Sequence, residues 1–323
     1  MPNHERRIHT SDRGAAINAQ DYIIGVDIGG THIRVGVVSP GLDLLHEEKI
    51  STSLVAGANA KERLVEWLSD YINRINLKIK TVSVGFPSNI NKNRDLVIIT
   101  PNVDGLENLP KSFLEENLNL PVMIEKDTCM LLHYDMHHHH ISKGMLIGYY
   151  IGTGFGNIMM LDGKIITGKD GVAGELGHIP VLFKDDVCPC GQKGCAELYA
   201  AGKGLEHIRL SHFPTTHISE VFAKHGNTPE VKGFIENVAK IIVVEIHILN
   251  PDTIILGGGV LNMDRFPYDL LIEKIHQFTR KPVPESTLEI FRSEANDPFS
   301  GVIGAALFAN NGLSERISND SIG

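Results

Sequence analysis

Residues 22–39 read YIIGVDIGGTHIRVGVVS: two strand-like apolar runs flank a Gly-Gly-Thr turn, the pattern of a β-hairpin with apolar faces. Residues 145–166, MLIGYYIGTGFGNIMMLDGKII, repeat the order strand, glycine-rich turn, strand. Two copies of one unit predict two similar α/β lobes facing each other across a cleft. Working outward, Leu64, Trp67, Leu68, Tyr71 and Ile72 within residues 55–76 keep helical spacing, and KTVSVGFP follows as a buried strand. PVMIEKD (121–127) reads as a strand running into a helix that contains Met130, Leu131 and Tyr134. Residues 231–251 form a long helical stretch stopped by Asn-Pro, then DTIILGGGV gives a buried strand ending in glycines. SGVIGAALFAN (300–310) reads as a small-residue helix.

Bulk properties narrow the function classes. A chain of 323 residues with 42% hydrophobic content has enough apolar material for two lobes. The formal charge of −9 lacks the basic excess that holds a nucleic-acid backbone, so no nucleic-acid partner is expected. No apolar run of about 18 residues is present, and the first 20 residues lack the apolar core of a secretory signal. They read as a flexible tail on a cytoplasmic protein with no membrane partner. Three of the four cysteines crowd into Cys188, Cys190 and Cys195, which suits a metal better than disulfides.

The glycine turns suggest phosphate chemistry. In DIGGT, Gly29, Gly30 and Thr31 can offer backbone N–H groups and a hydroxyl to phosphate oxygens where no Cβ intrudes, and Asp27 can hold a magnesium ion beside them. Gly152, Thr153 and Gly154 offer the same from the other lobe. Gly257, Gly258 and Gly259 end a strand and allow a flat adenine or ribose to approach the backbone. One such loop alone is equally a tight hairpin; three together favour a nucleotide. None of them matches GxGxxG or GxxxxGK[ST].

His178 is followed, after nine intervening residues, by CPCGQKGC, and one imidazole with three thiolates is the ligand set of a closed structural zinc. Three cysteines separated by glycine and proline do not make a core face. A four-ligand zinc leaves no open position for catalysis, so its work is positional: it ties His178, and with it Glu175, to Glu197. The run His137–His140 points around a helix and reads as solvated surface.

In order, GVDIGGTHIR (25–34), IGTGFGN (151–157), GVAGELGHIP (171–180), CPCGQKGCAE (188–197) and NPDTIILGGGV (250–260) resemble the ROK family of repressors, open reading frames and sugar kinases, over about residues 22–310. The resemblance implies an actin-like ATPase (ribonuclease H-like) fold and transfer of the γ-phosphate of ATP, with Mg2+, to a sugar hydroxyl. It implies Asp127 as the general base, with Asn102, Glu175, His178 and Glu197 contacting the sugar, His178 giving one ring nitrogen to zinc and one to sugar. For Asp127 the residues alone suggest only a helix N-cap. A homodimer is expected. The expected division is a small domain of residues 21–126 plus a terminal helix near 302–313, and a large domain of 127–301 bearing the zinc loop 178–197.

One residue departs from the pattern. Glucokinases and N-acetylhexosamine kinases of the family usually carry Asn before the catalytic Asp, where this chain has Lys126. Lysine donates hydrogen bonds and cannot accept them, so it reads a different hydroxyl pattern. With VGFP, ITPN and RKPVP, the sequence looks most similar to the family's D-allose kinases; a glucokinase or an N-acetylhexosamine (N-acetylmannosamine) kinase of the same family is the alternative. A sugar-responsive repressor is disfavoured because the residues before Tyr22 are too few for a helix-turn-helix unit, and a non-catalytic sugar sensor because Asp27, Asp127 and both loops are intact.

Overall fold

The computed structural model describes residues 22–320, and side chains through residue 312; the expected tail of residues 1–20 lies outside the described residues. The first half runs β1 (Tyr22–Ile28), β2 (His32–Val38), β3 (Leu44–Ser51), α1 (Ala60–Asn73) and β4 (Ile79–Phe86). Three short strands follow, β5 (Asn89–Ile90), β6 (Leu96–Ile99) and β7 (Leu109–Pro110), then α2 (Lys111–Leu118), β8 (Val122–Lys126) and α3 (Asp127–His139). The second half runs β9 (Met145–Ile151), β10 (Phe155–Leu161), β11 (Lys164–Ile165), α4 (Glu197–Ala200), α5 (Gly202–His212), α6 (Val221–His225) and α7 (Pro229–Leu249). It ends with β12 (Thr253–Gly257), α8 (Tyr268–Phe278), β13 (Glu289–Arg292) and α9 (Ser300–Asp320).

The two halves share one topology. The first sheet has the order β3-β2-β1-β4-β8 and the second β11-β10-β9-β12-β13. In each, an antiparallel three-strand meander is extended by two parallel strands. Ile28 pairs with Ile33 at the first hairpin mouth and Ile151 with Phe155 at the second, so both glycine turns cap equivalent strand ends. The expected α/β architecture with two lobes is present. Leu64 and Leu68 of α1 are fully buried beside Val26, Val84 and Ile124, and Phe234 and Ile242 of α7 beside Ile147, Ile254 and Leu256. Among the described residues no helix is long and apolar enough to cross a membrane.

Two helices carry the chain between the halves. α3 leaves the first sheet through β8 yet sets Leu132 and Met136 against Leu146, Ile158 and Ile255 of the second. α9 leaves the second sheet and sets Val302, Ala306 and Ala309 against Ile23 and Val38 of the first. The small residues of α9 permit this crossing: a Cβ on Gly304 would collide with the Met130 carbonyl of α3. Gly304→Ala is therefore expected to lower stability by about 2–3 kcal/mol, read as a shift in the urea midpoint.

Candidate active site

The β1–β2 turn is tied back on itself. Gly29 N–H donates to the His32 carbonyl at 2.9 Å, and Thr52 gives its hydroxyl to the Gly29 carbonyl at 2.7 Å and its N–H to that of Thr31 at 2.9 Å. A Cβ on Gly30 would lie 3.2 Å from the Asn102 Cβ, which places Asn102 directly over this loop. Beneath it, Asp27 Oδ2 accepts from Arg34 Nη1 at 3.2 Å. Burial raises the Asp27 carboxyl above its usual range, and Arg34 opposes that shift.

The matching turn of the second lobe is held by the start of α5. Gly202 N–H donates to the Gly152 carbonyl at 2.8 Å and Lys203 N–H to that of Thr153 at 3.2 Å. The third glycine segment runs alongside: Val260 N–H donates to the Ile151 carbonyl at 2.9 Å, and Gly258 takes a φ of +98°. An added Cβ on Gly152 or Gly259 would meet nothing within 4 Å. Both loops therefore border open space at Gly152 and Gly259, whereas the same positions at Gly154, Gly257 and Gly258 are filled by Glu197, Ser293 and Ile151.

Asp127 opens α3 where β8 ends, and its Oδ1 accepts from Thr128 N–H at 2.7 Å. Its pKa is raised to about 7, first by burial and next by the Asp27 charge, with the Thr128 N–H and Lys126 opposing. Asp27 and Asp127 are thus two carboxylates of one cleft. A group poised near neutrality is suited to accept a proton from a hydroxyl.

Lys126 is buried, and its Nζ sits 2.8 Å from Glu175 Oε1. Glu175 Oε2 in turn lies 3.9 Å from His178 Nε2. The turn carrying both is supported from below: Asn157 of β10 accepts the Leu176 N–H at 3.2 Å, while its amide donates to both oxygens of buried Glu245 at 3.0 and 3.1 Å.

The ligand atoms of His178, Cys188, Cys190 and Cys195 all lie within 4.8 Å of one another. Zn–S bonds of about 2.3 Å make tetrahedral edges of about 3.8 Å. Here the Cys190 and Cys195 sulfurs are 3.6 Å apart, and Cys188 Sγ is 3.9 Å from His178 Nδ1. The cluster fits a zinc ion. The loop reaches this shape because Gly191 and Gly194 take φ of +92° and +70°, a region costly to other residues. Nδ1 of His178 faces the sulfurs and Nε2 faces Glu175, so the ring has one edge toward each. Glu197, just after the last cysteine, has Oε1 3.3 Å from Cys188 Sγ and 2.7 Å from Lys203 Nζ. Its Oε2 lies 2.8 Å from where a Gly154 Cβ would be, so the zinc loop abuts the second glycine turn.

The histidine run ends α3. His137, His138 and His140 are exposed, whereas His139 stacks on Phe291 and meets the Arg292 carbonyl at 2.9 Å. Among the described residues no metal-competent group forms there. Sequence reasoning missed Lys203, Asn157 and Glu245, and also Arg94, whose Nε sits 2.6 Å from buried Glu125. The ion pair between Lys126 and Glu175 joins residues 49 positions apart in the chain, which no local pattern records.

The chain is similar to known proteins over most of its length. A glucokinase from Thermotoga maritima is 27% identical over 317 residues, covering 88% of this chain and 96% of its own. An N-acetyl-D-glucosamine kinase from Haemophilus influenzae is 31% identical over 266 residues, covering 74% and 84%. The crystal structure of a ROK hexokinase from Thermus thermophilus superimposes with a TM-score of 0.72 at 25% identity, over 91% of this chain and 99% of that one. The fold is that of the actin-like ATPases. With the ROK family profile matching residues 23–311, the chain belongs to the ROK family.

Proposed function

We propose that this protein is an ATP-dependent hexose kinase that phosphorylates the 6-hydroxyl of a hexose, with D-allose the preferred substrate. The observation that carries the reading is the placement of Asp127 at the first residue of α3, near enough to Asp27 beside the first glycine turn for the Asp27 charge to help raise its pKa. Phosphoryl transfer requires an in-line hydroxyl, a base for its proton and donors around the phosphates. In this reading Asp127 takes the proton, while Gly29, Gly30, Thr31, Gly152, Thr153 and Gly154 offer N–H donors to the phosphates. Gly257, Gly258 and Gly259 flank the adenosine. Asp27 would hold Mg2+, which neutralises charge on the phosphates when bound. His178, Cys188, Cys190 and Cys195 would hold zinc and thereby fix the sugar-facing edge of His178.

Asn102, Lys126, Glu175, His178 and Glu197 are the proposed sugar contacts. Lys126 takes one oxygen of Glu175 and leaves the other to accept from a hydroxyl. A lysine supplies only donors, where an asparagine would also accept, so a hexose whose hydroxyl faces Lys126 as an acceptor is favoured. Epimerisation at C3, the one difference between allose and glucose, alters such a contact. Relatives named for glucose and N-acetylglucosamine phosphorylation support the second reading, a glucokinase or N-acetylhexosamine kinase. Initial rates of ADP release over allose, glucose, mannose and their N-acetylamino relatives separate the two. The first reading expects kcat/KM for allose to exceed that for glucose, and Lys126→Asn to reverse the order by at least about tenfold. Glucose preference in the unaltered enzyme would replace the first reading by the second.

A further inference from the structure

The link between the β5–β6 turn and the loop that carries Glu175 has no part in the site described so far. Arg94, in that turn, holds a φ of +57°, a left-handed conformation unfavourable for a long side chain. Its side chain is engaged there through Nε and Nη1. Nε sits 2.6 Å from Glu125 Oε2, and Nη1 donates to the carbonyls of Ile90 at 3.0 Å, Asn91 at 2.9 Å and Gly171 at 3.3 Å. The first three partners belong to the first half of the chain, and Gly171 starts the GVAGE segment leading to Glu175. That approach is close: Gly171 has a φ of +89°, and a Cβ there would collide with the Ile90 carbonyl.

Glu125 and Lys126 are consecutive at the end of β8, and both hold the same loop. Glu125 is 1% exposed; its Oε2 meets Arg94 and its Oε1 accepts Lys126 N–H at 2.9 Å. Lys126 Nζ then meets Glu175 Oε1 at 2.8 Å. The loop is thus gripped twice from the strand that delivers Asp127: at Gly171 through Arg94, and at Glu175 through Lys126. A planar guanidinium, with five donors in fixed directions, holds a carboxylate and carbonyls in one set geometry, which the three rotatable donors of an ammonium do not fix.

We propose that Arg94 is a positioning residue of the sugar pocket: by bridging Glu125 to the Gly171 carbonyl it sets the height of Glu175 against the sugar. The proposal rests on the reading of Glu175 as a sugar contact. It separates two roles for Arg94, since neutralising Glu125 is a stability role and holding Gly171 is a positioning role. Removing only the arginine strands a buried carboxylate; removing both charges does not.

The test compares zinc-loaded wild type, Arg94→Met and the double variant Arg94→Met/Glu125→Gln. Sugar Kd is measured by calorimetry with the hexose that wild type binds most tightly, alongside KM for ATP and the melting temperature. Arg94→Met is expected to melt lower and weaken sugar binding by about tenfold or more, with KM for ATP changed less than about twofold. The double variant is expected to recover the melting temperature and keep the weakened sugar binding. Recovery of both by the double variant, or unchanged sugar binding in either variant, overturns the proposal; if the single variant does not fold, the double variant alone decides. A wild type that binds hexose without turnover refutes the kinase reading and still reads out Arg94. A wild type that binds no hexose overturns both.

Discussion

Asp127→Asn is expected to lower kcat by about 10²- to 10⁴-fold, the range for losing a positioned general base, while the protein gains stability at alkaline pH. The two effects share one cause. In the folded protein Asp127 has a pKa of about 7 against an ordinary 3.8, so between those values the folded state holds a proton that the unfolded state has released. The contribution is fully present below pH 3.8 and is lost as pH rises through about 7. Asparagine does not titrate. Its stability relative to wild type should therefore climb from about pH 4 to pH 7 and level off, with an upper bound of about 4 kcal/mol because Asp127 is coupled to Asp27. Wild-type kcat/KM should rise over the same interval as the base ionises. Thermal melts at pH 5 and pH 8, with rates at each, check both halves. A variant that keeps turnover sinks the base assignment; one destabilised at pH 8 sinks the account of the raised pKa.

Removing the metal is expected to have the other large effect. Cys190 is the exposed member of the cluster, so Cys190→Ala forfeits little packing and its consequences report the metal. Loss of a structural metal belongs to the small set of changes that cost several kcal/mol, which for a chain of this size is a fall in melting temperature on the order of 10 °C. Sugar binding should weaken together with stability, because His178 has Nδ1 toward Cys188 and Nε2 toward Glu175. Zinc content by mass spectrometry, melting temperature and sugar Kd are read on one preparation, with chelated wild type as the parallel arm. Unaltered stability and affinity in a zinc-free protein would remove the metal from the pocket's support.

The fold was legible because its two hairpins are local. YIIGVDIGGTHIRVGVVS and its counterpart at 145–166 each show two apolar runs broken by a glycine turn, and the parallel strands β4 and β12 read as buried apolar runs of their own. The metal cluster was equally legible, since three of its four ligands fall within one short loop. Short strands of two to four residues, β5 to β7, left no such pattern, and the turn they present at Arg94 was invisible for that reason. Lys126 stood out as an unusual residue before Asp127, but its partner did not. An ion pair with Glu175, made across the cleft, depends on how two distant segments meet. Glu125 lies within the strand PVMIEKD with no signal of its own; its burial beside Arg94 is what gives it a role. Lys203 is a similar case, because its contact with Glu197 needs α5 to start against the second glycine turn.

The central claim is that phosphate moves from ATP to a sugar on this protein. Mass spectrometry of the products, with zinc-loaded enzyme, Mg2+ and ATP in the presence and absence of allose, tests it directly. The account predicts one hexose 6-phosphate formed per ADP, with ADP release negligible without sugar. ADP formed at the same rate without sugar, or no phosphorylated product from any hexose of the panel, would contradict it.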